Sequence, residues 1–278
     1  IRHSTFTIPP SPPLVMGILN VTPDSFSDGG DYFTHDAAVE RALNMIAEGA
    51  DIIDIGGEST RPGAEPTPAE EQMRRAIPVI RAIRTRNSDI AISIDTRAAA
   101  VARAAVDAGA DIINDVSALR DDLDMADVVA ASGAAVVLTH RRGASADMQD
   151  GGGPHYDDVI AEITAFLQQR RDFAAGRGIN RSRIILDPGL GFGKRVEHNL
   201  TILRHLDRFV ALGQPVLVGA SRKRFLGSVL GVDEPKQRLA GSLACAVIAA
   251  LAGAAILRVH DVRATVDAVR LCSAVHGE

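Results

Sequence analysis

One short unit recurs along this chain and limits what it can fold into. Gly49-Ala50-Asp51-Ile52-Ile53-Asp54 is echoed by Gly109-Ala110-Asp111-Ile112-Ile113-Asn114, and residues 133–138 and 253–258 follow the same plan. In each, an alanine-rich helical stretch meets a glycine suited to a left-handed C-cap, and a short apolar run follows. That is a helix, a turn and a buried strand, and strands covered on both faces read as continuous apolar runs. Eight such runs are found, near 15–19, 52–55, 90–94, 112–114, 135–138, 184–186, 216–218 and 256–259. Helical patterns separate them, near 35–48, 97–108, 122–132, 156–176, 196–211, 236–252 and 262–275. A further helix is announced by Thr67-Pro68-Ala69-Glu70, which reads as a capping box with proline at the first helical position. Strict alternation of strand and helix means a parallel sheet. Eight units in 278 residues favour a closed (β/α)8 TIM barrel over an open sheet. No composition break divides the chain, so 1–278 is expected to be one domain, with 1–13 as an extended N-terminal segment.

Composition excludes several classes of function. The net charge is -5 and no lysine/arginine block stands out, so nucleic-acid and anionic-membrane binding are not expected. Two cysteines, Cys245 and Cys272, make no disulfide framework, which fits a cytoplasmic protein. Residues 1–13 carry four prolines and lack a basic end followed by an apolar run, so no targeting segment is expected there. The longest apolar run, 243–257, is shorter than a bilayer span.

Polar residues gather where the strands end. They are Asn20, Asp54, Asp95, Asn114 with Asp115, Thr139 with His140, Asp187, Gly219 with Ser221, and Arg258 with His260. Barrel enzymes place their active site at that face. Carboxyl and carboxamide groups from several strands make a small-molecule site for a flat heterocycle rich in N–H donors. A basic group, Ser221-Arg222-Lys223-Arg224 with Arg258-x-His260, follows strands seven and eight, where this fold commonly holds phosphate. Arg61 is a further candidate for that anion site, and Asn20 is a possible oxygen ligand for Mg²⁺. The loops 20–30 and 56–66 are rich in glycine, proline and small polar residues, as functional lids often are. No Ser or Cys stands beside an apparent base in the sequence, so no covalent enzyme intermediate is expected.

The motifs together resemble the dihydropteroate synthase family. Gly17-Ile18-Leu19-Asn20-Val21-Thr22-Pro23-Asp24-Ser25-Phe26-Ser27-Asp28-Gly29-Gly30 is similar to its first signature, and 56–63 to its second loop. Ser93-Ile94-Asp95-Thr96, Ile113-Asn114-Asp115-Val116, the run from 186 to 194, Gly219-Ala220-Ser221-Arg222-Lys223-Arg224-Phe225 and Arg258-Val259-His260-Asp261 complete the series. The resemblance implies a transferase that condenses 6-hydroxymethyl-7,8-dihydropterin diphosphate with para-aminobenzoate, releasing diphosphate, with Mg²⁺ as cofactor. By position it implies Asp95, Asn114, Asp187 and Lys223 as the pterin set, and Asn20, Arg61, Arg258 and His260 as the diphosphate and Mg²⁺ site. It implies Phe26, Thr60, Pro62, Phe192 and Ser221 as the aminobenzoate pocket, which sulfonamides also enter, with Gly219 beside it. It further implies a homodimer through the last helices. Two stretches depart from the usual pattern. Ala118-Leu119 stand where the family usually has two glycines, and Thr139-His140-Arg141 where it usually has Met-His-Met. A corrinoid methyltransferase with a related barrel would share the Asp/Asn/Asp set without needing the anion cluster. A catalytically silent pterin-binding paralogue would keep the set as well.

Overall fold

The computed structural model describes residues 8, 12–21, 31–58, 67–143 and 155–276, with residues 31–34 in backbone only. Phe26, Thr60, Arg61, Pro62 and most of the 1–13 segment lie outside the described residues. The elements run β1 (Leu14–Asn20), α1 (Asp31–Glu48), β2 (Ile52–Gly56), α2 (Ala69–Arg86), β3 (Ala91–Asp95), α3 (Ala99–Ala108), β4 (Ile112–Asp115), α4 (Met125–Ser132) and β5 (Ala135–Thr139). They continue with α5 (Val159–Gly176), β6 (Ile184–Asp187), α6 (Val196–Arg204), α7 (Leu206–Val210), β7 (Leu217–Val218), α8 (Arg224–Leu230), α9 (Leu239–Leu251), β8 (Ile256–Val259) and α10 (Val262–His276).

All eight strands are parallel, in the order β6-β5-β4-β3-β2-β1-β8-β7. The last seam is a bridge from Leu186 to Val216, supported by Leu186 N–H donating to the Pro215 carbonyl at 2.9 Å. The result is a single-domain (β/α)8 TIM barrel. The four repeat glycines, Gly49, Gly109, Gly133 and Gly253, all take positive φ, between 68° and 113°, as helix-to-strand turns of this kind require.

Side chains alternate along each strand, and that alternation creates the site. Met16, Ile52, Ala91, Ile112, Ala135, Val137, Ile185, Leu217 and Ile256 form one buried cluster inside the barrel. The intervening residues, such as Ile53, Ile92, Ile113 and Val136, join the larger cluster between sheet and helices. Two residues beyond the inner row, the same face carries Asp54, Asn114, Thr139, Asp187, Gly219 and Arg258, with Asp95 four residues beyond Ala91. The barrel is therefore apolar through its body and polar at its C-terminal mouth.

Three local expectations are corrected. Pro68 is the N-cap of α2 rather than its first residue, with extended φ/ψ (-53°, 146°) and no side-chain cap. The helix expected over 196–211 is interrupted at His205, whose φ of -119° separates α6 from α7. Helix α8 is an element absent from the expected helical patterns; it begins at Arg224, the last residue of the basic group, and buries Phe225, Leu226 and Gly227.

Candidate active site

Arg258 stands at the centre of the mouth. Its Nε donates to Asp54 Oδ2 at 2.6 Å and an Nη donates to Asp95 Oδ2 at 2.6 Å. Asn114 Nδ2 also donates to Asp54 Oδ2, at 3.2 Å. Asp54 is wholly buried and its Oδ1 has no partner among the described residues. Four strands thus meet in one ion-pair network, β2 through Asp54, β3 through Asp95, β4 through Asn114 and β8 through Arg258. Burial pushes the Asp95 carboxyl up to about 7, against the pull of Arg258 and with help from Asp54, Glu58 and Asp115. Asp54 was noted only as a strand-end residue. Its role rests on a partner 204 residues away, which no local pattern reveals.

Asp187 closes the ring from β6. Gly189 N–H donates to its Oδ1 at 2.7 Å and the Thr139 hydroxyl reaches Oδ2 at 3.4 Å. Burial pushes its carboxyl up, with Lys223 opposing. Thr139, where the family usually has methionine, therefore presents a hydroxyl to this carboxylate instead of an apolar wall. Lys223 donates to the Leu190 carbonyl, and its Nζ lies 4.5 Å from the centre of the Phe192 ring. Burial pushes Lys223 down to about 8, with Asp187 opposing. The four expected pterin residues, Asp95, Asn114, Asp187 and Lys223, do converge on one mouth.

The anion cluster is smaller than its sequence. Arg222 is turned to Asp261 in a two-point ion pair, at 3.0 and 2.5 Å. Arg258 is engaged by Asp54 and Asp95. His260 is pushed down to about 4, by burial first and then by Arg222 and Arg258, and so is neutral near pH 7. Lys223 is the N-cap of α8 and Arg224 its first residue. Ser221 does have a base beside it: its Oγ lies 3.1 Å from His260 Nδ1, a pair that the sequence, with the two 39 positions apart, does not show. The same Oγ also accepts the His260 backbone N–H at 3.2 Å. Asp261, the neighbouring carboxylate, is held by Arg222 rather than orienting the imidazole. Among the described residues the pair is thus a polar contact without the third member that activates a nucleophile.

Of the strand-end residues, Asp115 and His140 face away from the ring. The Asp115 carboxylate accepts the N–H groups of Ser117 and Leu119, both at 2.7 Å. That holds Ala118 and Leu119 at φ 54° and 62°, a conformation that favours the usual glycines and costs these residues about 1–2 kcal/mol each. Arg141 and Arg142 pair with Asp121 and Glu162, at 2.9 and 2.6 Å. Asn20 ends β1 exposed, with Oδ1 beside Gly56, 3.6 Å from where a Cβ would stand.

Residues 16–260 match the profile of the pterin binding enzymes. The dihydropteroate synthase of Escherichia coli K12 is 47% identical over 264 residues, covering 95% of this chain and 92% of that protein. The chain belongs to the dihydropteroate synthase family. A Xanthomonas albilineans member solved with 4-aminobenzoic acid is 50% identical, with a TM-score of 0.89 over 96% of this chain and 94% of that one. Another structure of that enzyme is a complex with 7,8-dihydropteroate. The Yersinia pestis dihydropteroate synthase, solved as a sulfonamide drug complex, has a TM-score of 0.91 at 43% identity, over 100% of this chain and 98% of that one.

Proposed function

We propose that this dihydropteroate synthase condenses 6-hydroxymethyl-7,8-dihydropterin diphosphate with para-aminobenzoate at the barrel mouth. The observation that carries the reading is the ring of Asp95, Asn114 and Asp187 on three strands, with Lys223 and Arg258 beside it. The carboxylates accept the pterin N–H groups, and the Asn114 amide supplies the mixed contact. Lys223 borders the ring beside Asp187; the diphosphate extends from the pterin toward Lys223 and Asn20, and the aminobenzoate is seated beside Ser221. Phe192 supplies an aromatic wall. Phe26, Thr60, Arg61 and Pro62 are assigned to the same pockets by their family motifs.

As the carbon–oxygen bond to diphosphate breaks, positive charge grows on the pterin, and Asp95 stabilises it in a water-poor site. Bond breaking runs ahead of amine attack. Among the described residues no cluster of His, Cys, Asp and Glu suited to hold a metal occurs. One exposed amide oxygen, Asn20, fits Mg²⁺ that draws its other ligands from substrate phosphate and water. When bound there, Mg²⁺ would offset charge on the leaving diphosphate. Turnover is expected to vanish in EDTA and return with added Mg²⁺. Full activity in metal-free buffer would remove Asn20 from the site.

Diphosphate release in the presence and absence of para-aminobenzoate tests the function. The reading requires release tied to the amine. A protein that binds pterin without turnover would be a silent paralogue. Sulfonamide affinity is expected to rise strongly, by an order of magnitude or more, when a pterin, Mg²⁺ and diphosphate are present, because the amine seat is completed by the bound anion. Calorimetry under both conditions checks this, and equal affinities would mean a preformed seat. Among the described residues no helix is long and apolar enough to cross a membrane. Exposed Ile248, Leu251, Leu271 and Val275 on α9 and α10 support a homodimer through these helices.

A further inference from the structure

Lys194 is one of three lysines in the chain and is almost entirely buried, 6% exposed, in the loop after β6. Its Nζ has the carbonyl oxygens of Gly189, Phe192 and His140 at 2.8, 3.0 and 3.2 Å, and His140 Nδ1 at 2.9 Å. Carbonyl oxygens only accept, and with the His140 proton on Nε2 so does Nδ1; four acceptors around one nitrogen call for all three N–H donors of an ammonium, one of them shared, where a neutral amine has two. Inward-pointing carbonyls of this kind are what replaces the water shell of a monovalent cation. Burial, Lys223 and Arg142 push Lys194 well below its ordinary value, and Asp187 opposes them. The carbonyl cage is what favours the charged form. His140 is pushed down to about 2 by burial first and then by Lys194, so its ring is neutral and adds no second charge.

We propose that the His140, Gly189 and Phe192 carbonyls form a monovalent-cation seat filled by the chain's own Lys194 ammonium, making Lys194 a positioning residue for Asp187 and Phe192. The linkage is short. Gly189, whose carbonyl is held by Lys194, donates its N–H to Asp187 Oδ1, and Phe192 carries Lys223 over its ring. His140 N–H donates to the Asp187 carbonyl at 2.9 Å, so one ammonium ties the end of β5 to the loop that bears the site. The two backbones are pressed together here. Gly189 has φ 72°, and a Cβ on it would collide with the His140 carbonyl oxygen. Converging carbonyl dipoles at such a contact repel one another unless a cation lies between them.

The inference rests on the pterin reading of the site, and its tests separate the two. With only three lysines, ¹⁵N-lysine NMR of the wild-type protein can resolve Lys194. A slowly exchanging ammonium signal that persists at pH 8 is expected; a neutral amine there would overturn the proposal whatever the enzyme binds. Lys194→Met keeps the stem and removes the charge. It is expected to raise the KM for the pterin diphosphate at least tenfold while kcat changes less than threefold. Lys194→Ala opens room for propylammonium, which is expected to raise its melting temperature and restore most of the pterin affinity. Tetramethylammonium, which has no N–H, should do neither. A folded Lys194→Met enzyme with parental KM would overturn the positioning role, and equal response to the two amines would overturn the seat. The NMR arm decides the matter if neither variant folds.

Discussion

Arg258→Leu is expected to lose about 3–5 kcal/mol of folding stability, the cost of breaking a buried pair and leaving its partners charged. The reason is specific to this barrel. Asp54 is wholly buried and Asp95 is 7% exposed, and Arg258 contacts both at 2.6 Å. Without the guanidinium, two buried carboxylates would share one desolvated mouth, and Asn114 would offer Asp54 a single weak donor. Carboxylates in that position relieve the conflict by taking up protons. The loss should therefore be larger at pH 8 than at pH 5.5. Urea unfolding at both pH values measures it. A variant within about 1 kcal/mol of the parent at pH 8, the worth of an exposed ion pair, would mean that the network is well solvated and does not hold the mouth together. Activity is expected to disappear with the same change, since the carboxylate ring loses its centre.

Asp95→Asn is expected to fold and to lower kcat by about 10² to 10³, the range for removing one preorganised electrostatic group. The amide retains shape and hydrogen bonding but cannot answer positive charge as the diphosphate departs. A pH signature accompanies the loss. Burial holds the Asp95 carboxyl up at about 7, so the parental kcat/KM should rise with pH as the acid ionises through that value. Lys223, pushed down to about 8, loses its charge above that pH, and activity should fall again. Asp95→Asn should lack the acid limb and keep the alkaline one, which distinguishes Asp95 from titration of the substrate itself. An asparagine variant within twofold of the parent, or one retaining the acid limb, would reject the role.

The fold was legible because its signals are local. A helix, a glycine that reverses the chain and a β-branched run lie within a few residues of one another, and the four repeat glycines take the positive φ that this reading requires. The ring at the mouth was legible for a related reason: side chains two apart share a strand face, so polar strand ends project into the same space. Pairing was not legible. Arg258, Arg222 and His260 read in sequence as one basic cluster, yet Arg258 reaches back to β2 and β3 while Arg222 is taken by its neighbour Asp261. Charge written in a sequence says nothing about which carboxylate has already neutralised it. The Ser221–His260 contact was hidden for the same reason. Ala118 and Leu119 show the opposite case. They depart from the family's glycines, yet both take the positive φ that glycine favours, in a turn held by the Asp115 carboxylate.

The most direct test of the central claim is the position of the pterin in a crystal of the wild-type enzyme soaked with a non-hydrolysable analogue of the pterin diphosphate. The ring should lie among Asp95, Asn114 and Asp187, with the carboxylates on its N–H groups and the diphosphate directed toward Lys223, Ser221 and Asn20. A pterin bound outside this ring, or one whose N–H groups meet neither Asp95 nor Asp187, would contradict the account.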